Sequence, residues 1–179
     1  LSSVFEGAEV AFYLVHGLNE SGTLLKSETT AAQNFAAAAQ RAGIRRIIYL
    51  GALGTSDLDE CSPHIQSRRT VGDVLRRAGV PVTEFRASVV IGNGSMPFEV
   101  IRALVERLPF MITPRWVRMK LQPISADDVI DYLLSAVETG NDENAIYEIG
   151  GQDVVSYETL LRTYERARNL RRLYVGVPV

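Results

Sequence analysis

The sequence predicts an α/β fold, a parallel sheet flanked by helices, on three observations. Ile47–Leu50 is a short apolar run of β-rich residues, the pattern of a strand covered on both faces, Glu9–Val15 is a mostly apolar strand, and an extended segment restarts at Val80-Pro81-Val82. Helical stretches separate them. Gly43, Gly51 and Gly79 stand where one element gives way to the next, at turns where glycine costs least.

The central stretch, Arg45 to Gly92, carries this reading best. Ile47-Ile48-Tyr49-Leu50 reads as a buried strand ending at Gly51. Ser62-Pro63 is a helix start, because serine can cap free amides and proline loses no hydrogen bond at the first helical position. Gly79 closes that helix in the left-handed conformation, and Val80-Pro81-Val82 restarts an extended run through Val90. The unit is βαβ, and ligands of such sheets lie beyond the carboxyl ends of the strands.

The other elements follow in order. Leu1 to Gly7 has the spacing of the last turns of a helix, and Glu9–Val15 is a strand followed by His16-Gly17. Leu24 to Ala42 carries a stripe of small residues that lets a helix lie close on a sheet. Ser95 is a helix cap, with Phe98, Ile101, Leu104, Val105 and Leu108 on one face and Pro109 as the stop. Residues 110–120 mix aromatic and basic side chains and read as a substrate lid, a membrane-surface patch or a plain cover. Leu121–Ile124 is extended, Ser125 with Asp128 starts a helix through Val137, and Ala145–Ile149 is a strand. Ser156 caps a last helix of about a dozen residues, and Leu173–Val177 is a short strand.

Composition bounds the function. With 179 residues, 46% hydrophobic and 22% charged, residues 1–179 are expected to form one domain, and a formal net charge of −2 speaks against a nucleic-acid partner. The arginine pairs at 45–46, 68–69, 76–77 and 171–172 read as solvated helix faces and strand ends. Cys61 is the single cysteine, which excludes an internal disulfide and suits a reducing, cytoplasmic setting. Its nearness to His64 raises a Cys–His pair, but no third group is positioned to orient it. No apolar run approaches the ~18 residues of a bilayer span, no signal peptide is legible, and two histidines with one cysteine make no metal centre.

The wording IIYLGALG, then SPHIQSRRTVGDVLRRAGVPVTEFRASVVIGNGS, then QPISADDVIDYL and YEIGG resembles the atypical short-chain dehydrogenase/reductases, in particular the NmrA-like branch. The resemblance implies a Rossmann-like fold and an NAD(P) cofactor, with NADP slightly favoured. It also implies that the first strands and their glycine-rich phosphate turn are absent, since no G-x-G-x-x-G occurs here. The chain is therefore expected to be a fragment of a longer one, the alternative being an ancestral fold cut down to serve another purpose. A preceding segment or a homodimer partner would cover the Glu9–Val15 edge.

By the same resemblance, the cofactor cradle comprises Val15, His16 and Gly17 after one strand, Leu50, Gly51 and Ala52 at the end of the next, and Ala87, Ser88 and Val89 at the end of the third. Small residues at 51 and 52 suit close approach of a flat ligand. Where the family has Ser and Tyr-x-x-x-Lys, this sequence has Gly51-Ala52 and His64-x-x-x-Arg68. The catalytic candidates are thus His64 as proton donor and Arg68 as cofactor anchor. Arg86, in an apolar strand, reads as structurally paired. The expected activity is hydride transfer between NAD(P) and a small carbonyl or quinone-like substrate; the other reading is a non-catalytic NAD(P)-binding sensor or assembly protein.

Overall fold

A computed structural model describes residues 4–16, 24–54, 62–139 and 142–177. In chain order these form β1 (Val10–Tyr13), α1 (Leu24–Arg41), β2 (Arg46–Ala52), α2 (Pro63–Arg76), β3 (Val82–Ala87), β4 (Val89–Ile91), α3 (Met96–Arg107) and β5 (Phe110–Thr113). After a single 3-10 turn, Arg115–Arg118, come β6 (Lys120–Leu121), β7 (Pro123–Ser125), α4 (Ala126–Thr139), β8 (Ala145–Ile149), β9 (Val155–Ser156), α5 (Tyr157–Ala167) and β10 (Leu173–Gly176). The chain divides into two compact units, Leu1–Ala87 with Ile130–Ile149, and Ser88–Val129 with Gly150–Val179.

The first unit is built on a parallel sheet in the order β1-β2-β3-β8. Tyr49 reaches the main chain of α2, whereas Phe85, paired with Leu50 and so on the opposite face, packs its ring 5.9 Å from that of Tyr132 on α4. Helices therefore cover both faces. The small-residue stripe of α1 does what its composition predicts: Ala32, Ala36 and Ala39 are buried among Ile47, Tyr49, Val71, Leu75 and Val82. Gly43 and Gly79 end their helices at φ +73° and +82°.

Local signals place most boundaries. The Ser62 hydroxyl accepts from Ile65 N (3.4 Å), Ser125 from Asp128 N (3.0 Å) and Ser156 from Thr159 N (3.1 Å). Ser95 departs from this: it stands at the N-cap of α3, but its hydroxyl donates to Val90 O (2.9 Å). The extended run after Gly79 also differs from the sequence reading, since it breaks at Ser88. β3 stays in the four-stranded sheet between β2 and β8, while β4 pairs with β7 in the second unit. β3 mixes apolar with charged residues and β4 is apolar, and in neither does periodicity reveal a change of pairing partner.

The arginine pairs are not uniformly solvated. Arg46 is 1% exposed, donates to Ala136 O at 3.3 Å and lies 3.8 Å from the Asp142 carboxylate. Arg76 pairs with Asp73 and with Glu84, whose side chain is wholly buried. Arg86 Nε donates to the other Glu84 oxygen at 2.7 Å, the structural pairing read from the sequence. Two glycines make room: a Cβ on Gly72 would sit 2.6 Å from Glu84 Oε2, and one on Gly51 2.9 Å from Oε1.

The second unit holds three two-stranded ladders, β4 with β7, β5 with β10 and antiparallel β6 with β9. Its core is Ile101, Val105, Met111, Val117 and Leu161. Leu108, expected on the same face as Ile101, is exposed because α3 has ended at Arg107. Arg172 Nε donates to Val105 O at 2.6 Å, and Tyr174 OH to Glu165 Oε2 at 2.8 Å. Among the described residues no helix is long and apolar enough to cross a membrane, and no group of three metal-ligating side chains gathers.

Removing one partner of a buried ion pair strands the other. Glu84→Ala is expected to destabilise the fold by about 3–5 kcal/mol in urea denaturation, by leaving Arg86 without its counter-charge and Arg76 with Asp73 alone. Gly72→Ala should cost about 1–3 kcal/mol through overpacking against the same carboxylate.

Candidate functional site

Parallel strands place side chains and loops at one end of the sheet, and the candidate residues of the first unit gather there. Val15 and His16 follow β1, and Leu50, Gly51 and Ala52 finish β2. Ala87 ends β3 opposite Ala52, with Leu53 N donating to its carbonyl at 2.8 Å. His64 lies in the first turn of α2, Arg68 one turn on. Arg68 Nη1 is 3.2 Å from His16 Nε2, which joins the loop after β1 to the helix after β2. Gly17, Cys61 and the residues Asn19–Ser21 fall outside the described residues. Ser88 and Val89 belong to the second unit, in the bend before β4 and in β4 itself.

Four further side chains complete the cluster. Tyr49 OH donates to the Arg68 carbonyl at 2.8 Å, tying strand to helix, and Ser67 donates its hydroxyl to the buried Glu28 carboxylate of α1. Arg69 Nη2 donates to Gly54 O at 2.9 Å. Tyr49 had a signal in the sequence, because a tyrosine inside a buried strand must satisfy its hydroxyl. Ser67 had only its place beside Arg68. Glu28 had none, since it stands among Ser27, Thr29 and Thr30 in a helix whose stripe explains the rest of the segment.

Burial and the Arg68 charge govern the protonation of this cluster. Burial, and then Arg68, push the His16 imidazole down to about 4, with the Glu28 carboxylate acting in the opposite sense. The same two causes in the same order lower His64, and burial lowers Arg68. Burial raises Tyr49. Both imidazoles are therefore neutral at physiological pH, each offering one N–H and one acceptor nitrogen. His64 thus meets a ligand as a neutral hydrogen-bonding group rather than as an imidazolium.

The geometry also tests whether this end of the sheet fits a dinucleotide. Arg68 Nε is buried and has no hydrogen-bond partner among the described residues, so it is a donor in want of an acceptor. A ribose hydroxyl would be such an acceptor. Gly51 fits less directly: the space beside its Cα is taken by Glu84 and by the Tyr49 ring at 3.3 Å. Its smallness makes room for the buried carboxylate.

A parallel sheet with helices on both faces and a polar cluster beyond its carboxyl ends defines a Rossmann-like α/β protein. The chain belongs to the NmrA-like family, whose model matches residues 1–179. Among solved structures it is similar to MoeE5 in complex with UDP-glucose and NAD (16% identity, TM-score 0.80, 99% of this chain and 68% of that one). It is also similar to the Citrobacter sp. triphenylmethane reductase complexed with NADP(H) (17% identity, TM-score 0.72, 99% and 59%). At these identities the likeness is one of fold. A curated relative, the mitochondrial NADH dehydrogenase [ubiquinone] 1 alpha subcomplex subunit 9 of Dictyostelium discoideum, is 24% identical over 120 residues, 66% of this chain and 33% of that protein. The match spans a third of that relative's length.

The His16 shift carries a pH signature. Its pKa is 6.5 unperturbed and about 4 when folded, so between these values the unfolded chain binds the proton more readily. Stability is complete above about pH 6.5 and falls as pH drops toward 4. His64, also lowered, acts in the same direction. With solvent screening of the partly exposed ring, His16→Gln should recover about 1 kcal/mol of the loss between about pH 7 and pH 5, read from denaturant midpoints.

Proposed function

We propose that this chain forms part of an NAD(P)-dependent oxidoreductase that moves a hydride between the nicotinamide and a small carbonyl or quinone-like substrate. The observation that carries the reading is the buried Arg68 Nε, without a partner among the described residues, standing one helical turn from His64 and in contact with His16, at the end of a sheet of this family. Arg68 anchors a ribose hydroxyl through that donor. Its Nη1 contact to His16 and the Tyr49 bond to its carbonyl fix where the guanidinium points. Val15 and His16 flank the adenosine side, with Gly17 next in the chain; Leu50, Gly51, Ala52 and Ala87 line the nicotinamide side, with Ser88 and Val89 following in the chain. The cofactor, when bound, supplies the hydride. The neutral His64 holds the substrate oxygen with an N–H bond, which favours an acceptor such as a quinone over an unactivated ketone, because no strong acid is in place. NADP is the slightly preferred cofactor by family resemblance.

The second reading is a non-catalytic NAD(P)-binding sensor or assembly protein. Two observations favour it: the serine and tyrosine of the usual triad are replaced by Gly51-Ala52 and His64, and one relative is named as a subunit of NADH dehydrogenase.

Fluorescence titration with NADPH and NADH tests the shared part of both readings, and Arg68→Ala should weaken binding by about 1–2 kcal/mol, roughly 5- to 30-fold. His64→Ala separates them. Turnover of a quinone or carbonyl panel that falls while cofactor affinity holds supports the enzyme; saturable binding without oxidation of NADPH by any acceptor removes it and leaves the sensor.

A further inference from the structure

The second unit presents a surface that the proposed reaction does not use. In the β5–β10 ladder Leu173 pairs with Phe110 and Val175 with Ile112. Met111 and Tyr174 turn to the core of Ile101, Val105 and Leu161, so alternation turns the other four side chains away from it. Leu173, Phe110, Val175 and Ile112 are 61, 64, 54 and 71% exposed. A sheet face open to water normally carries polar side chains; this one carries none. Trp116 and Met119, just after β5, are exposed as well.

The flanking charge is mostly basic. Residues 107–121 contain Arg107, Arg115, Arg118 and Lys120 and no acidic residue; residues 168–177 contain Arg168, Arg171 and Arg172 and again none. Arg172 is turned onto the Val105 and Glu106 carbonyls, and Arg168 and Arg118 lie 3.5 and 3.9 Å from Glu106 and Glu158. Arg107 and Arg171, ahead of the two strands, and Arg115, behind β5, are exposed. The whole unit holds ten Lys and Arg against seven Asp and Glu, net +3, whereas the first unit holds nine against fourteen, net −5. The chain's net charge of −2 conceals two units of opposite sign.

We propose that the β5–β10 face docks on an anionic lipid bilayer, with Phe110, Ile112, Leu173 and Val175 entering the headgroup boundary and Arg107, Arg115 and Arg171 meeting lipid phosphates. Each part of the surface suits that setting. Apolar side chains leave water, an indole favours the headgroup region, and guanidinium groups pair with phosphate. The four strand side chains offer no hydrogen-bonding group by which a protein partner would be specified, and a bilayer requires none. The docking is independent of dinucleotide binding.

Flotation of the full chain with vesicles tests it, using phosphatidylcholine alone or with about 30% phosphatidylglycerol, at about 0.1 M salt. The chain is expected to float with the anionic vesicles, to stay behind with the neutral ones, and to lose about tenfold in partitioning at about 0.5 M salt. Ile112→Glu and Val175→Glu should each lower partitioning about tenfold while circular dichroism and thermal midpoint remain those of the parent. No flotation with either vesicle, equal partitioning to both, or parent-like partitioning of both variants overturns the proposal. A dimer seen by light scattering that Ile112→Glu dissociates, without flotation, assigns the face to a second copy and overturns it too.

Discussion

A carboxylate with no access to water, that of Glu84, constrains much of the first unit. Burying such a charge costs several kcal/mol unless it is met by opposite charge and hydrogen bonds. Arg86 comes from the same strand and Arg76 from α2, so satisfying Glu84 draws the helix onto the sheet. Gly51 and Gly72 are small because the carboxylate lies where their side chains would be. α2 in turn carries His64, Ser67 and Arg68, and its position relative to β2 sets where these groups stand. The Tyr49 bond to the Arg68 carbonyl gives a second fixed point one strand position before Leu50.

The polar cluster at the carboxyl end follows the same electrostatics with a different result. Glu84 meets two arginines and is matched. Arg68 is half-buried beside two imidazoles that burial and its own charge keep neutral, with Glu28 acting in the opposite sense. A neutral imidazole pair next to a partly satisfied guanidinium favours ligands rich in hydroxyl and carbonyl groups. It gives little general-acid strength, which bears directly on what kind of substrate could be reduced there.

Arginine serves several ends in this chain. Arg46 and Arg76 are structural cations inside the first unit, Arg172 holds carbonyls at the end of α3, and Arg107, Arg115 and Arg171 stand in water around an apolar sheet face. The sequence shows the same residue type, often in the same doublet, in each case. Burial alone separates the roles, and burial depends on which elements the neighbours pack against.

The order and limits of most elements were legible because their signals are local. Ser62-Pro63, Gly43 and Gly79 act within a turn of the chain, and the alanine stripe of α1 declares a close-packed face. Family wording also brought forward His64, Arg68 and the strand ends. By itself, then, the sequence determined an α/β chain with parallel strands, the start and stop of its main helices, and the i, i+4 placement of His64 and Arg68. Only the tertiary structure decided that the run after Gly79 is shared between two sheets, that Gly51 serves Glu84, and that Glu28, Ser67 and Tyr49 join the site. It likewise decided that the apolar residues of β5 and β10 align on one exposed face. Those outcomes rest on contacts between residues tens of positions apart, and neither periodicity nor a local motif encodes which distant partner a side chain will meet.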